Sequence, residues 1–276
     1  MSGKLDVVGT PIGNLGDMWE RMVQTLTDVD FIVGEDTRVT SKLLSVLGIK
    51  KPMISYNGYN KDGRGPQIAD RLMSGESCAV VSDAGMPCIS DPGTELVSLC
   101  TELGIDIVSV PGPSALTAAL SVSGMFTGRF AFEGFLPVNR KNKLARLSEI
   151  KSFEHTLVFY EAPHKLPGTL LDMLEILGDR RICIVREITK IYEEEIHTTL
   201  GEAAARYAEE PLKGEIVLIV EGNTDTGPQV SLSDAAQTAA KLIEQGLSAS
   251  EAPKRVAADT GLKKGDIYRT VMKLTE

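Results

Sequence analysis

Residues 4–17 read KLDVVGTPIGNLGD, and this stretch decides the fold. The apolar, β-branched run Lys4–Val8 predicts a buried strand, and the turn-rich residues 9–17 predict the loop that follows it. The same succession recurs through the first half of the chain. Further strands are predicted at Phe31–Gly34, residues 53–56, Cys78–Val81 and Asp106–Val110.

Amphipathic segments separate these strands, with apolar residues at the three- and four-residue spacing of a helix that buries one face. Gly48, Gly75 and Gly104 stand where glycine commonly ends a helix. We therefore expect helices over residues 18–27, 37–47, 65–74 and 93–103. Such alternation predicts a mainly parallel sheet with helices on both faces.

The second half of the chain has a different pattern of predicted strands and helices. Strands are predicted at residues 130–135, 156–160, 181–187, 193–199 and 215–221, and helices at residues 141–150, 166–177 and 201–209. The strands on either side of residues 188–192 are joined by a short connection, which favours antiparallel pairing. A second domain with a mixed sheet is expected.

Residues 222–228 are polar and rich in turn formers, which indicates a linker. Helices are predicted beyond it at residues 233–245, 250–259 and 265–274, and the last two resemble a helix-turn-helix. This tail either contacts nucleic acid or only packs as an appendage. The predicted domains are residues 1–122 and 123–222, with a helical tail at 231–276.

Composition limits the function classes. The chain has 276 residues and a net charge of −9, which disfavours nucleic-acid binding except through local basic patches. Residues 231–276 carry seven Lys or Arg against six Asp or Glu, so they hold +1 and the first 230 residues hold −10. A second basic cluster comprises Arg140, Lys141, Lys143 and Arg146, and a solvated helix face explains it equally well.

Cellular location is predicted from apolar and cysteine content. No window approaches the roughly 18 apolar residues of a membrane span, and no signal segment is recognised, so a cytoplasmic protein is expected. The four cysteines are far apart and form no CxxC pair, which disfavours both a zinc site and a disulfide framework.

The sequence lacks the motifs that mark several enzyme classes. Gly9, Gly13 and Gly16 do not fit the dinucleotide pattern GxGxxG, and Pro11 removes a backbone donor that a pyrophosphate would use. The chain contains no GxxxxGK[ST], GxSxG or HExxH motif. The sequence therefore disfavours nicotinamide-dependent enzymes, P-loop nucleotide triphosphatases, hydrolases with a catalytic triad and zinc hydrolases. No metal is expected.

Four loops follow strands of the first sheet, at residues 9–17, 35–38, 82–87 and 111–115. Ligands of parallel sheets bind at the carboxyl ends of strands, so the loops predict a cleft. Glycines, prolines and the carboxylate of Asp83 suit a sulfonium cofactor with an amino acid tail, a ribose and an adenine. Alternatively, Asp83 only stiffens its turn.

Six motifs in these loops and beyond carry a family resemblance. They are VVGTPIGNLGD at 7–17, GEDTR at 34–38, SDAGMP at 82–87, PGPSA at 111–115, YEAPHK at 160–165 and GEIVLIVEG at 214–222. Together they resemble the tetrapyrrole (corrin/porphyrin) methylase superfamily, and more narrowly the ribosomal RNA small subunit methyltransferase I family. The first loop departs from the GxGPG of the tetrapyrrole-modifying branch, which favours the RNA branch.

The resemblance implies an α/β, two-domain tetrapyrrole-methylase-like fold that forms a homodimer. It implies that the cofactor is S-adenosylmethionine and that the enzyme methylates the ribose 2′-hydroxyl of a cytidine in the decoding region of small-subunit ribosomal RNA. The substrate is either the RNA itself or the small ribosomal subunit. A tetrapyrrole methyltransferase of the precorrin or uroporphyrinogen type is the alternative. A non-catalytic RNA-binding or assembly protein with the same fold is the third possibility.

Cofactor contacts are carried over position by position. They are Pro11, Asp83, Ala84, Gly85, Met86, Ser114 and Ala115, with Tyr160 and Glu161 from the second domain. For a general base, Glu35 and Asp36 are the candidates and Glu161 is the reserve, because a ribose hydroxyl needs a carboxylate to take its proton. Helix capping is the alternative role of Asp36.

RNA contacts are expected from exposed polar, basic and aromatic groups. Asn14, Arg38, Arg140 and Lys141 are the polar and basic candidates, although turn stabilisation explains Asn14 and solvation explains the bases equally well. Tyr56, Tyr59 and Tyr160 offer rings for a splayed base, although core packing explains an isolated tyrosine more often.

Overall fold

The computed structural model describes residues 3–210, 212–224 and 231–275. The chain divides into two compact units, Met1–Asn223 and Thr224–Glu276. The first unit contains both predicted sheets and the second contains the tail. The expected α/β class with a parallel first sheet and a mixed second sheet is confirmed. The domain boundary after residue 122 stays a prediction.

The first sheet has five parallel strands in the order β3-β2-β4-β1-β5. They are β1 (Lys4–Val8), β2 (Phe31–Gly34), β3 (Met53–Ser55), β4 (Cys78–Val81) and β5 (Asp106–Val110). Four strands have the predicted bounds, and β3 ends one residue early. Because all pairs are parallel, the loops after the strands leave the same edge of the sheet.

Five helices occur in this half of the chain. They are α1 (Glu20–Asp28), α2 (Thr37–Val46), α3 (Lys61–Met73), α4 (Thr94–Glu102) and α5 (Ala115–Val122). Apolar residues of α1 and α2 pack on one face of the sheet and those of α3 and α4 on the other. Gly48, Gly75 and Gly104 have φ of 70°, 104° and 67°, so the predicted glycine stops are confirmed.

The second sheet has the order β6-β7-β10-β8-β9. Its strands are β6 (Phe130–Phe135), β7 (Thr156–Glu161), β8 (Arg181–Arg186), β9 (Glu194–Thr199) and β10 (Ile216–Val220). Only β6 and β7 pair in parallel, and the predicted antiparallel pairing of β8 with β9 is confirmed. Helices α6 (Arg140–Ile150), α7 (Leu166–Leu177) and α8 (Leu200–Glu209) cover one face.

Helix α5 covers the other face of this second sheet, although it follows β5 of the first. Ala119 and Leu120 pack with Val158, Val217 and Ile219. The chain thus passes from the end of a first-sheet strand directly onto the second sheet. This connection brings the strand-end loops of the first sheet beside the second sheet.

The tail unit consists of α9 (Leu232–Glu244), α10 (Glu251–Thr260) and α11 (Lys264–Thr275), so its three predicted helices are confirmed. Val256 of α10 packs with Ile267 and Val271 of α11 and with alanines of α9. Gly261, with φ of 71°, ends α10 in the left-handed conformation. Residues 225–228 of the predicted linker lie outside the described residues.

No helix among the described residues is long and apolar enough to cross a bilayer.

Candidate active site

A cavity of about 340 Å³ lies between the carboxyl end of the first sheet and the second sheet. Three of the four strand-end loops contribute to its wall. Their lining residues are Ile12 from the first loop, Ala84, Gly85 and Met86 from the loop after β4, and Ser114 and Ala115 at the start of α5. We call this space the first cavity.

Hydrogen bonds fix the first loop to the loop after β4. The Thr10 N–H donates to the Gly85 carbonyl at 2.9 Å, and the Gly85 N–H donates to the Thr10 carbonyl at 3.1 Å. Gly85 has φ of 85°, a conformation that an L side chain rarely adopts. Pro11 follows Thr10 but does not line the first cavity, and Ile12 lines it instead.

The second sheet supplies the opposite wall through Tyr160, Val185, Ile216 and Val217. The Tyr160 hydroxyl accepts a hydrogen bond from the Leu116 N–H at 3.1 Å, in the first turn of α5. Burial raises the pKa of Tyr160, so the ring lines the cavity as a neutral phenol. The predicted juxtaposition of Tyr160 with the strand-end loops is therefore present.

Glu161 also lines the first cavity, but its carboxylate is engaged. One oxygen accepts from the Ala162 N–H at 2.8 Å and the other from the Thr169 hydroxyl at 2.5 Å. The residue is 6% exposed. A carboxylate whose two oxygens are held in this way is poorly placed to accept a substrate proton.

A second cavity of about 420 Å³ lies at the same edge of the first sheet. Glu35, Asp36 and Arg38 line it together with the exposed ring of Tyr59. Asp83 lines this second cavity, whereas its neighbour Ala84 lines the first. The loop after β4 therefore separates the two spaces.

The adjacent carboxylates Glu35 and Asp36 differ in their surroundings. Asp36 caps α2 by accepting from the Arg38 N–H at 2.8 Å, and its oxygens also bind the Arg38 guanidinium. This hydrogen bonding lowers the pKa of Asp36 to about 2. Burial, followed by the charges of Asp83 and Asp91, raises the pKa of Glu35. Of these two carboxylates, Glu35 is therefore the stronger proton acceptor.

Asp91 and Ile89 line the first cavity and were missed by the sequence reasoning. Burial is the main reason that the pKa of Asp91 is raised. Both residues lie beyond the SDAGMP motif. The only local signal is the turn-forming Asp91-Pro92-Gly93 sequence, which by itself predicts a turn and not a cavity wall.

The four candidate RNA-binding residues do not share one place. Asn14 accepts from the Gly16 N–H at 2.9 Å and so stabilises its own turn. Arg38 lines the second cavity, with its side chain 87% exposed. Arg140 forms ion pairs with Asp172 and Glu175.

The rest of the basic cluster on α6 is largely neutralised. Lys143 pairs with Asp172, and Arg146 pairs with Glu133 and Glu149. Lys141 is exposed. Ion pairing therefore accounts for most of this cluster, and Lys143, whose side chain is 13% exposed, does not belong to a solvated face.

Tyr56 and Tyr59 differ in their exposure to solvent. Tyr56 is 2% exposed and packs in the core of the first sheet, so the core-packing interpretation is confirmed for it and it offers no face to a base. Tyr59 is fully exposed at the second cavity.

Metal ligation has no support among residues 3–210, 212–224 and 231–275. No group of three or more His, Cys, Asp or Glu side chains within these ranges is arranged to hold a metal ion. Cys78, Cys100 and Cys183 are free and buried, and Cys88 is free and partly buried.

Comparison with known proteins identifies the class. The sequence pattern of the Tetrapyrrole (Corrin/Porphyrin) Methylases matches residues 4–204. Among solved structures, the uroporphyrin-III C-methyl transferase from Thermus thermophilus complexed with S-adenosyl homocysteine is similar, with a TM-score of 0.57 and 17% identity. That match covers 79% of this chain and 97% of the other, and it shows a shared fold.

Curated relatives narrow the class. The ribosomal RNA small subunit methyltransferase I of Halalkalibacterium halodurans is 46% identical, over 96% of this chain and 93% of its own. The protein of the same name from Thermotoga maritima is 47% identical, over 80% of this chain and 99% of its own. The chain belongs to the ribosomal RNA small subunit methyltransferase I family of the tetrapyrrole methylases.

Proposed function

We propose that this chain transfers the methyl group of S-adenosylmethionine to the ribose 2′-hydroxyl of a cytidine in the decoding region of small-subunit ribosomal RNA. The observation that carries the proposal is the pair of neighbouring cavities on either side of the loop after β4. One is apolar and partly enclosed by backbone, and the other is lined by charged groups and an exposed ring. The relatives' shared name supports RNA as the substrate class.

The first cavity fits the cofactor. Its volume of about 340 Å³ lies within the range of roughly 300–1,000 Å³ that is typical of small-molecule sites. Apolar walls such as Ile12 and Val217 suit an adenine, and the cavity is also lined by the polar residues Ser114 and Asp91. The bound cofactor supplies a methyl group on a positively charged sulfur.

The second cavity fits a nucleotide. The exposed ring of Tyr59 presents a face for a base that has left its helix, and aromatic stacking is sequence-tolerant. The exposed Arg38 guanidinium suits a flanking phosphate, with Asp36 fixing its position. In this proposal the ribose lies beside the loop that separates the two cavities.

Glu35 is the proposed general base. It lines the second cavity, close enough to Asp83 and Asp91 that their charges raise its pKa. A raised pKa makes a carboxylate a stronger proton acceptor. Asp36 is committed to Arg38 and to the α2 cap, and Glu161 is committed to Thr169.

The chain's further contribution is positioning. In-line methyl transfer requires the hydroxyl oxygen, methyl carbon and sulfur to be aligned, and fixed loops meet that requirement at little entropic cost. The Thr10–Gly85 hydrogen bonds hold the first loop, and the Leu116–Tyr160 hydrogen bond holds the start of α5.

One assay tests the function. Purified protein and labelled S-adenosylmethionine are incubated with small ribosomal subunits, naked ribosomal RNA or a porphyrinogen precursor. We expect label in subunits or ribosomal RNA, at a ribose that becomes resistant to alkaline cleavage. Label in the porphyrinogen alone would establish the tetrapyrrole alternative. No label, with no cofactor binding by calorimetry, would leave only a non-catalytic RNA-binding role.

We further propose that the enzyme acts in the cytoplasm, and the family resemblance implies that it forms a homodimer. Light scattering coupled to size exclusion measures its mass directly. A monomer mass at micromolar concentration, in the presence and absence of cofactor, would contradict the dimer.

A further inference from the structure

Basic charge in the tail is concentrated at its second half. Residues 231–260 hold three Lys or Arg and four Asp or Glu, whereas residues 261–275 hold four bases and one acid. The turn and α11 therefore carry +3 within a protein whose net charge is −9. Such a local reversal of sign attracts a polyanion in spite of the overall charge.

These charges lie on the exposed side of the turn and of α11. Ile267 and Val271 of α11 are fully buried against α9 and α10. Lys263, Lys264, Tyr268 and Arg269 are exposed, and Lys264 and Tyr268 lie one turn apart. Residues four apart occupy the same helix face, so lysine and tyrosine side chains are neighbours there.

The tail also has the connectivity of a helix-turn-helix, with two helices joined by a short turn. Helix α10 ends at Gly261, and α11 begins three residues later, with its buried side resting on the preceding helices. In helix-turn-helix proteins the second helix presents its N-terminal residues to the polymer. Lys263, Lys264 and Tyr268 occupy that position here, and Asp266 orients Arg269 through an ion pair.

We propose that an exposed face of the tail binds the sugar-phosphate backbone of double-helical ribosomal RNA. Lys263 of the turn and Lys264, Tyr268 and Arg269 of α11 form this face. The choice of RNA rests on the proposed function. The major groove of A-form RNA is too narrow for side chains to read, so the face contacts phosphates and 2′-hydroxyls and reads no sequence. Lysine and arginine supply the charge, and the Tyr268 hydroxyl supplies a hydrogen-bonding group.

This face adds affinity and takes no part in methyl transfer. The family pattern ends at residue 204, before the tail. The Thermotoga maritima relative aligns over 220 residues that make up 99% of its length. At least 56 residues of this 276-residue chain therefore have no counterpart in that relative. The tail is expected to lower the KM for RNA and to leave kcat unchanged.

The test compares two charge-matched triple variants of the full chain. Lys263→Ala, Lys264→Ala and Arg269→Ala remove the proposed face. Lys241→Ala, Lys254→Ala and Arg255→Ala remove the same charge from exposed positions on α9 and α10. All six side chains are exposed and alanine favours helices, so both variants are expected to fold, which circular dichroism checks.

Binding of a small-subunit ribosomal RNA transcript is measured by filter retention over a series of salt concentrations. The α11 variant is expected to bind roughly 10- to 100-fold more weakly and to lose about 2 to 3 from the slope of log K against log salt, close to one for each phosphate contact removed. The control variant is expected to stay within about threefold of the unmodified protein. Affinity for S-adenosyl homocysteine is expected to be unchanged in both.

Each outcome has a defined meaning. Equal losses in the two variants would show a general charge effect and overturn the proposal, as would no loss in either. Loss of binding to duplex DNA without loss of binding to RNA would also overturn it. RNA binding is measured independently of methyl transfer. Failure of the labelling assay would therefore contradict the proposed function but would not test whether this face binds RNA.

Discussion

The Asp83 carboxylate accepts a hydrogen bond from the backbone N–H of Asp36, with 3.1 Å between Oδ1 and nitrogen. This contact joins the loop after β4 to the loop after β2. Residues 84–86, immediately beyond Asp83, line the first cavity. Asp83 therefore connects the charged second cavity to the wall of the proposed cofactor site.

Replacing Asp83 by Ala is expected to weaken S-adenosyl homocysteine binding by about 5- to 10-fold, because loss of one partly exposed hydrogen bond to a charged group costs about 1 kcal/mol. Asp83→Asn keeps an acceptor oxygen and is expected to lose less. Calorimetric titration measures both. An Ala variant with undiminished affinity would show that Asp83 only stiffens the turn.

Glu35→Gln is expected to lower kcat by about 10²- to 10⁴-fold, the usual contribution of a general base. The cofactor affinity is expected to stay unchanged, because Glu35 lines the second cavity and not the first. Asp36→Asn is the adjacent control: Asn remains a good helix cap, so a much smaller loss is expected. Equal losses in both variants would remove the distinction between the two carboxylates.

The pH dependence follows from the same carboxyl group. The pKa of Glu35 is raised above its ordinary value of 4.5, and the base acts only when ionised. The kcat/KM of the unmodified protein is therefore expected to fall as pH decreases through the raised pKa. Glu35→Gln is expected to lack this acid limb. A limb that persists in the variant would assign it to another group.

Strands buried on both faces could be predicted from the sequence almost residue by residue. β1 and β4, for example, are short apolar runs that end at a turn-rich segment, and both have the predicted bounds. The information is local, because each run contains its own hydrophobic signal and its own stop. The same holds for the glycine that ends α2.

The site was predictable only in part, because its walls come from distant segments. Residues 84–86 and 114–115 belong to recognisable motifs and do line the first cavity. Val185 and Val217 line it through the packing of the second sheet, which no local pattern encodes. The burial of Tyr56 likewise depends on contacts with α3 and α4.

Thr169→Val is expected to lower the free energy of unfolding by about 1 to 3 kcal/mol, because the variant leaves one Glu161 oxygen buried without its donor. Thr169→Ser retains the hydroxyl and is expected to lose less. Urea unfolding followed by circular dichroism measures both. If Val and Ser variants are equally stable, the hydroxyl does not hold Glu161, and its carboxylate becomes available as a candidate base again.

Gly9→Ala is expected to lower the free energy of unfolding by about 1 to 3 kcal/mol, the usual cost of overpacking. A Cβ at Gly9 would lie 2.7 Å from both the Gly112 Cα and the Met86 Sδ. The two strand-end loops would have to separate. Since Met86 lines the first cavity, S-adenosyl homocysteine affinity is expected to fall as well.

Gly63→Ala is the matched control for this change. Gly63 lies within α3, and a Cβ there would meet nothing within 4 Å. The variant is expected to gain about 0.5 to 1 kcal/mol, because alanine favours the helix and restricts the unfolded chain. Urea unfolding, followed by the fluorescence of Trp19, measures the stability of both variants. Trp19 is the single tryptophan, and its ring lies against Gly112 in the loop after β5, where an added Cβ would be 2.4 Å away. Equal stability of the Gly9→Ala and Gly63→Ala variants, with unchanged cofactor affinity, would show that the close approach of the loops after β1 and β5 does not shape the cavity.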